Sequence, residues 1–410
     1  MNNIIDLLPK MIAGDDLKKA LTIMPEYDKN ICNQDKAIRL MALSDIYKLY
    51  VPSQMTFEIY NKLYIALIQS LQKKTTKTAV HQQIENRKAI LRQEYNGIIG
   101  GSDSFTIIGT SGIGKSSAIS RAITLITENK IMDITKPYIR IIPCIVIQCP
   151  FDSSVKGLLL EILRKVDEYL ETKYYENALR SRATTDMLIG SVSQVALNHI
   201  GLLIVDEIQN VCNNRNGKSL VGVLTQLINN SGISICMVGT PESSLFFEQA
   251  MQLARRSLGL NYNIMEYDIY FRQFCEILFS YCYVKKESPL SDAVVEWLYE
   301  HSAGVISVVV ALVHDAQEIA IINGAEILNL ETLNEAYQQR LTHLHGFIQS
   351  SISKKNYVKP KEKSIVKKLT DVHGLENEYT IYEIVLQAKK EDLDIVCLLK
   401  KYMPVEEVRR

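Results

Sequence analysis

Apolar residues recur along this chain with two different periods, and the change of period divides it. Between residues 103 and 241, predominantly apolar runs at 105–108, 144–148, 202–205 and 234–238 alternate with segments of helical spacing at 117–127, 155–169 and 184–198. Runs this apolar, without polar alternation, need cover on both faces. They therefore predict strands of an open, mostly parallel α/β sheet lying between helices.

On either side the pattern is helical. Helices are expected at 35–49 and 55–71, the second with Ile59, Leu63, Ala66 and Leu67 on one face and Ser53 placed as its N-cap. After the sheet, helices are expected at 251–258, 270–281, 292–301, 306–323 and 330–344. The implied organisation is a helical N-terminal extension (1–85), serving either as a packing extension or as a partner-docking surface, an α/β core (86–243), a helical lid (244–345) and a basic C-terminal tail (346–410), either a mobile tail or a small partner-binding module. No solenoid-type repeat interrupts it.

Composition changes little. The 410 residues are 47% hydrophobic and 22% charged, with a formal net charge of zero, so any basic surface must be local. One basic run lies between Lys73 and Arg92, where a solvated helix face competes with a phosphate contact. The longest apolar stretches, near 139–147 and 305–313, are too short to span a bilayer, and Met1 to Asp6 shows no secretory pattern. The eight cysteines are scattered without C-x-x-C spacing. A cytoplasmic protein without a membrane partner is expected.

The chemistry concentrates at the ends of the apolar runs. Gly109-Thr110-Ser111-Gly112-Ile113-Gly114-Lys115-Ser116 fits G-x-x-x-x-G-K-[ST], with a strand pattern before it and an amphipathic helix, starting at Ser117, after it. Such a loop turns backbone N–H groups and a helix N-terminus toward phosphates. Lys115 would reach the β- and γ-phosphates of ATP, and Ser116 would bind Mg2+.

The run 202–205 ends in Asp206-Glu207, acids placed at the ligand edge of a parallel sheet. Asp206 would hold Mg2+ and Glu207 would activate water. At the next strand tip, Thr240 is the candidate to orient that water; a turn built on Gly239 and Pro241 is the alternative. Arg255 and Arg256 are candidate arginine fingers acting in trans, with a helix-surface pair as the alternative.

These motifs are ordered and spaced as in AAA+ ATPases. Three stretches resemble, more narrowly, the TnsC family of transposition regulators, related to TniB: Gln148-Cys149-Pro150-Phe151 through Leu158, Ala196-Leu197-Asn198-His199-Ile200-Gly201 into the acids, and Ala303-Gly304-Val305-Ile306-Ser307 through Gln317. The resemblance covers roughly residues 47–344. It implies a P-loop AAA+ fold that binds ATP and Mg2+ and assembles as rings or filaments on double-stranded DNA. It further implies a homo-oligomer that links a target-selector protein to transposase subunits in Tn7-like, including CRISPR-associated, transposition. ATP hydrolysis would drive disassembly.

The lid departs from many AAA+ proteins, since Gly304-Val305-Ile306-Ser307 carries no sensor arginine. Lys136, Tyr138, Arg140, Arg215 and Lys218 are candidate phosphate contacts to DNA. His199 is expected to pack or cap. A nucleotide-switched signalling scaffold that never touches DNA, and a replication initiator or helicase loader, are the competing readings.

Overall fold

A computed structural model describes residues 4–341 apart from 75, 92, 94–103, 136–137, 153, 212–216, 244–258 and 287–288. The N-terminal part contributes α1 (Gly14–Leu21), α2 (Lys36–Leu43), α3 (Gln54–Lys74) and α4 (Lys77–Ile90). The single helix expected at 35–49 stops at Leu43 and gives way to a 3-10 turn, Ser44–Lys48.

The core follows as β1 (Phe105–Gly109), α5 (Lys115–Thr127), β2 (Met132–Thr135), β3 (Tyr138–Gln148), α6 (Val155–Leu170), α7 (Tyr174–Arg180) and α8 (Thr185–His199). It continues with β4 (Ile200–Asp206), α9 (Gly217–Ser231), β5 (Ser234–Gly239) and β6 (Leu260–Tyr262). The segment expected as a lid holds α10 (Ile269–Ser280), α11 (Asp292–Ser302), α12 (Ile306–Asn323) and α13 (Leu330–Ala336), closed by a π-helical turn, Tyr337–Leu341. All lie in one unit, Met1–Ile352. The helix expected at 251–258 and the tail 346–410 fall outside the described residues.

The six strands run in the order β2-β3-β4-β5-β1-β6, parallel except for the antiparallel pair β2–β3. Register pairs Gln148 with Asp206 and Ile108 with Gly239, so β1, β4 and β5 end along one edge of the sheet. Successive strand residues face opposite sides. Leu203, Val205, Ile235 and Met237 enter a core with α6, α8 and α9, while Leu202, Ile204, Cys236 and Val238 enter a second core with α3 and α5. This double cover is why the strands lack polar alternation.

The N-terminal helices are built into both neighbours. Ile59, Leu63, Leu67 and Leu71 of α3 are fully buried on the sheet, while Leu43, Ile46 and Leu49 complete the apolar core of the lid. Arg39 of α2 is buried, donates to the Tyr283 carbonyl (3.1 Å), and forms two 2.7 Å bonds to the Glu326 carboxylate. Those bonds hold Glu326 below the usual carboxylate range. Residues 305–313 extend into an 18-residue helix, α12, apolar and long enough to cross a membrane by length. Its Val309, Leu312, Val313, Ala316 and Ala320 are buried inside the lid core instead.

Candidate functional site

The loop after β1 owes its shape to two glycines in the left-handed region, Gly112 (φ 82°) and Gly114 (φ 95°). Gly114 is the N-cap of α5 and offers no side chain to cap it. The first amides of α5 are therefore left for a ligand, since an α-helix cannot satisfy its own first four N–H groups. Space is as restrictive as conformation at Gly112: a Cβ there would come within 2.5 Å of Ser307 Oγ and 2.8 Å of Val305 Cγ1.

A cleft of about 240 Å3 opens over the loop, lined by Ser111, Gly112, Gly114, Lys115, Ser116 and Ser117. Asp206, Glu207 and Gln209 close it from the end of β4, Gly239 and Thr240 from β5, and Ser307 from the head of α12. Ser116 Oγ donates to Asp206 Oδ2 at 3.1 Å, and the other Asp206 oxygen accepts the backbone N–H of Glu207 at 2.8 Å. A hydroxyl and a carboxylate oxygen at this separation form a hard oxygen donor set, which suits Mg2+.

Lys115 Nζ donates to the carbonyls of Gly109 (2.6 Å) and Thr110 (3.0 Å). Burial lowers its pKa, opposed by the nearby carboxylates of Asp206, Glu207 and Glu242. The residues thus fit a magnesium-bound polyphosphate: one cation, free helix amides and a paired hydroxyl and carboxylate. Beside the loop lies a second cavity of about 240 Å3, whose walls include Tyr50, Val51, Met55, Ile113, Tyr270 and Ile306.

Other expected site residues lie elsewhere. Arg140 donates to the Leu170 carbonyl (3.2 Å) and pairs with Asp133 (3.4 Å) across the β2–β3 pair. His199 packs, its Nδ1 at 2.8 Å from the Arg140 carbonyl and its Nε2 at 3.2 Å from the Tyr174 hydroxyl; burial lowers its pKa. Tyr138 lies in β3 and Lys218 in α9, but their side chains, like Lys136, Arg215, Arg255 and Arg256, fall outside the described residues. Cys144, Cys149, Cys236 and Cys275 are buried thiols, not joined in disulfides.

Sequence reasoning missed Gln209 and Ser307 as cleft residues, and Met55 and Tyr270 beside it. Gln209 follows the acids by two positions and was open to suspicion on that ground. Ser307, Met55 and Tyr270 reach the loop only through tertiary packing.

A parallel sheet in this order, with a glycine loop closing β1 and paired acids closing β4, defines a P-loop fold of the AAA+ type. Nucleotide binding and NTPase chemistry are the activities that go with that class. Residues 100–260 match the family model described as bacterial TniB protein, which relates this segment to TniB.

Among solved structures, the chain is similar to that of the Aeropyrum pernix ORC1 protein in complex with DNA, at 16% identity over 80% of each chain and a TM-score of 0.42. It is also similar to the Walker-type ATPase paby2304 of Pyrococcus abyssi, at 12% identity over 67% of this chain and 74% of that one, with a TM-score of 0.37. No curated protein matches the sequence.

Proposed function

We propose that this chain is an ATP-dependent AAA+ regulator of DNA transposition. In this reading it binds ATP with Mg2+, assembles as a ring or filament on double-stranded DNA, and links a target-selector protein to transposase. ATP hydrolysis then dismantles the assembly. One observation carries the reading: the TniB match covers residues 100–260, the segment that supplies the glycine loop, Asp206, Glu207 and Thr240. Family likeness and site therefore coincide.

Each residue has a role. Gly109 through Ser117 wrap the phosphates, and Lys115 exchanges the carbonyls of Gly109 and Thr110 for phosphate oxygens. Ser116 and Asp206 would hold Mg2+, which neutralises phosphate charge when bound. Glu207 takes a proton from the attacking water while Thr240 orients it. The apolar cavity beside the loop accepts the base.

Arg255 or Arg256 completes a neighbour's site in trans, which makes the nucleotide part of the contact between subunits. Lys136, Tyr138, Arg215 and Lys218 contact DNA phosphates. Arg140 joins them only by releasing Leu170 and Asp133. The 1–85 extension meets the target selector and the 346–410 tail meets transposase.

Sedimentation and electron microscopy with duplex DNA and a non-hydrolysable ATP analogue test this reading. Ordered particles that require both ligands, with affinity falling steeply as salt rises, are the expected result. Nucleotide binding without any assembly on DNA would leave a P-loop ATPase and remove the transposition role.

A further inference from the structure

We infer that Gln209 is a positioning residue for hydrolysis, holding the Glu207 carboxylate against the tip of β5. The inference rests on the ATPase reading above and adds a residue to it. Gln209 belongs to the 3-10 turn Ile208–Val211 that follows β4, and it lines the phosphate cleft. Its Nε2 donates to Glu207 Oε2. Glu207 itself adopts a left-handed backbone (φ 57°), uncommon for a residue with a Cβ, and leaves the strand sharply at the point where the two side chains meet.

The opposite end of the amide identifies what the contact serves. Gln209 Oε1 is buried and accepts no hydrogen bond among the described residues. A buried acceptor left unpaired is unfavourable and needs a reason. Ser243 Oγ is buried and unpaired in the same way, and Ser243 is fully enclosed.

Both orphans flank one point beside Gly239. A Cβ built there would lie 2.4 Å from Ser243 Oγ and 3.1 Å from Gln209 Oε1, and 2.6 Å from Ile208 Cγ2. One orphan is a hydroxyl able to donate and the other a carbonyl able only to accept. A side-chain shift at either residue pairs them. Glu207, Gln209 and Ser243 then connect the acid after β4 to the turn after β5, where Thr240 lies and where the Ser243 N–H already bonds the Thr240 carbonyl at 2.9 Å.

The chemical consequence is a division of labour between the two carboxylate oxygens. With Oε2 engaged by the amide, Oε1 is the oxygen that receives the proton. The water oxygen bonds to the γ-phosphorus as that proton moves to Glu207. The bond to the bridging oxygen breaks, and ADP leaves with its electron pair. The amide fixes the rotamer from which this occurs, and the absence of a Cβ at Gly239 leaves room for the amide.

The test uses the full chain with ATP, Mg2+ and duplex DNA, and compares Gln209→Ala, Gln209→Glu, Ser243→Ala and Glu207→Gln. Gln209→Ala should lower kcat about tenfold, as misplacement of a reacting group does, while KM and the affinity for a fluorescent ATP analogue change less than about twofold. Gln209→Glu replaces the amide donor by a second carboxylate beside Glu207 and should lower kcat at least as far as Gln209→Ala. Ser243→Ala should lower kcat in the same direction by less.

An unchanged or raised kcat in Gln209→Ala would overturn the inference, and so would a parallel loss of nucleotide affinity. The two levels of failure separate cleanly. If the wild-type chain does not hydrolyse ATP, the ATPase reading itself falls; if Glu207→Gln hydrolyses at the wild-type rate, the base role of Glu207 falls and the role of Gln209 with it. If Glu207→Gln is inactive and Gln209→Ala is normal, only the role of Gln209 falls.

Discussion

The backbone N–H of Ser307 donates to the carbonyl of Gly112 at 3.3 Å, tying the head of the lid helix α12 to the phosphate loop. The loop and the lid therefore share a contact that a ligand at the loop would bear on directly. Gly112→Ala should break it for two reasons: its φ of +82° is strained for alanine, and the new methyl meets Ser307 Oγ at 2.5 Å. We expect nucleotide affinity to fall at least about tenfold, with a stability loss of about 1–3 kcal/mol. Titration with a fluorescent nucleotide and thermal melting would check both. Ser307→Gly in the same chain should restore part of the affinity.

The 3.1 Å bond from Ser116 to Asp206 makes a prediction about metal. Removing Mg2+ with a chelator should weaken ATP binding in the wild type. Ser116→Ala and Asp206→Asn should bind weakly from the start and respond little to the chelator. Lys115→Ala removes the only cation among the cleft residues and should abolish binding, metal or not. Calorimetric titration in the presence and absence of Mg2+ distinguishes these cases.

Glu207 lines the cleft with an exposed side chain that accepts a hydrogen bond from Gln209. Glu207→Gln should therefore bind ATP normally and lose about 10²–10⁴-fold in turnover, the usual weight of a general base. On duplex DNA the variant should persist as an assembly where the wild type dissociates. Phosphate release and sedimentation, followed together over time, would show both effects, and normal turnover would remove Glu207 from the mechanism.

Stability should depend on pH through Lys74. Its Nζ donates to the carbonyls of Ala196 (2.7 Å) and Leu197 (2.6 Å), capping the end of α8 just ahead of β4. Burial pushes its pKa down to about 7. The unfolded chain keeps that proton to about 10.4. Between those values unfolding takes up a proton, so the Lys74 contribution makes stability rise with pH across that window and leaves it level below pH 7. Melting temperatures between pH 7 and pH 9 should climb less steeply in Lys74→Met than in the wild type.

The elements that carry the proposed phosphate chemistry are local, and so they are legible in the sequence. A glycine loop must sit between its strand and its helix, and a strand without polar alternation must lie inside a covered sheet. Residues 105–108, 202–205 and 234–238 therefore announced β1, β4 and β5 with their ends nearly in place, and 306–323 announced α12. The shorter pieces gave weaker signals. β2 and β6 have four and three residues, too few for a period to show, and they are held by pairing at the sheet edges and by packing of Met132, Ile134, Leu260 and Tyr262 on the second core.

Tertiary structure decided which ends meet. Ser116 and Asp206 lie 90 positions apart, and only the strand order β4-β5-β1 brings them within a hydrogen bond. The N-terminal helices read as an appendage because nothing in their own spacing says what their apolar faces cover. In the fold α3 covers the sheet, while Leu43, Ile46 and Arg39 lock into the lid. Ser307 at the loop and the unpaired Gln209 Oε1 and Ser243 Oγ beside Gly239 belong to the same category. Periodicity reports that a face must be buried, whereas its partner is chosen by shape and by hydrogen bonds that exist only after the chain has closed on itself.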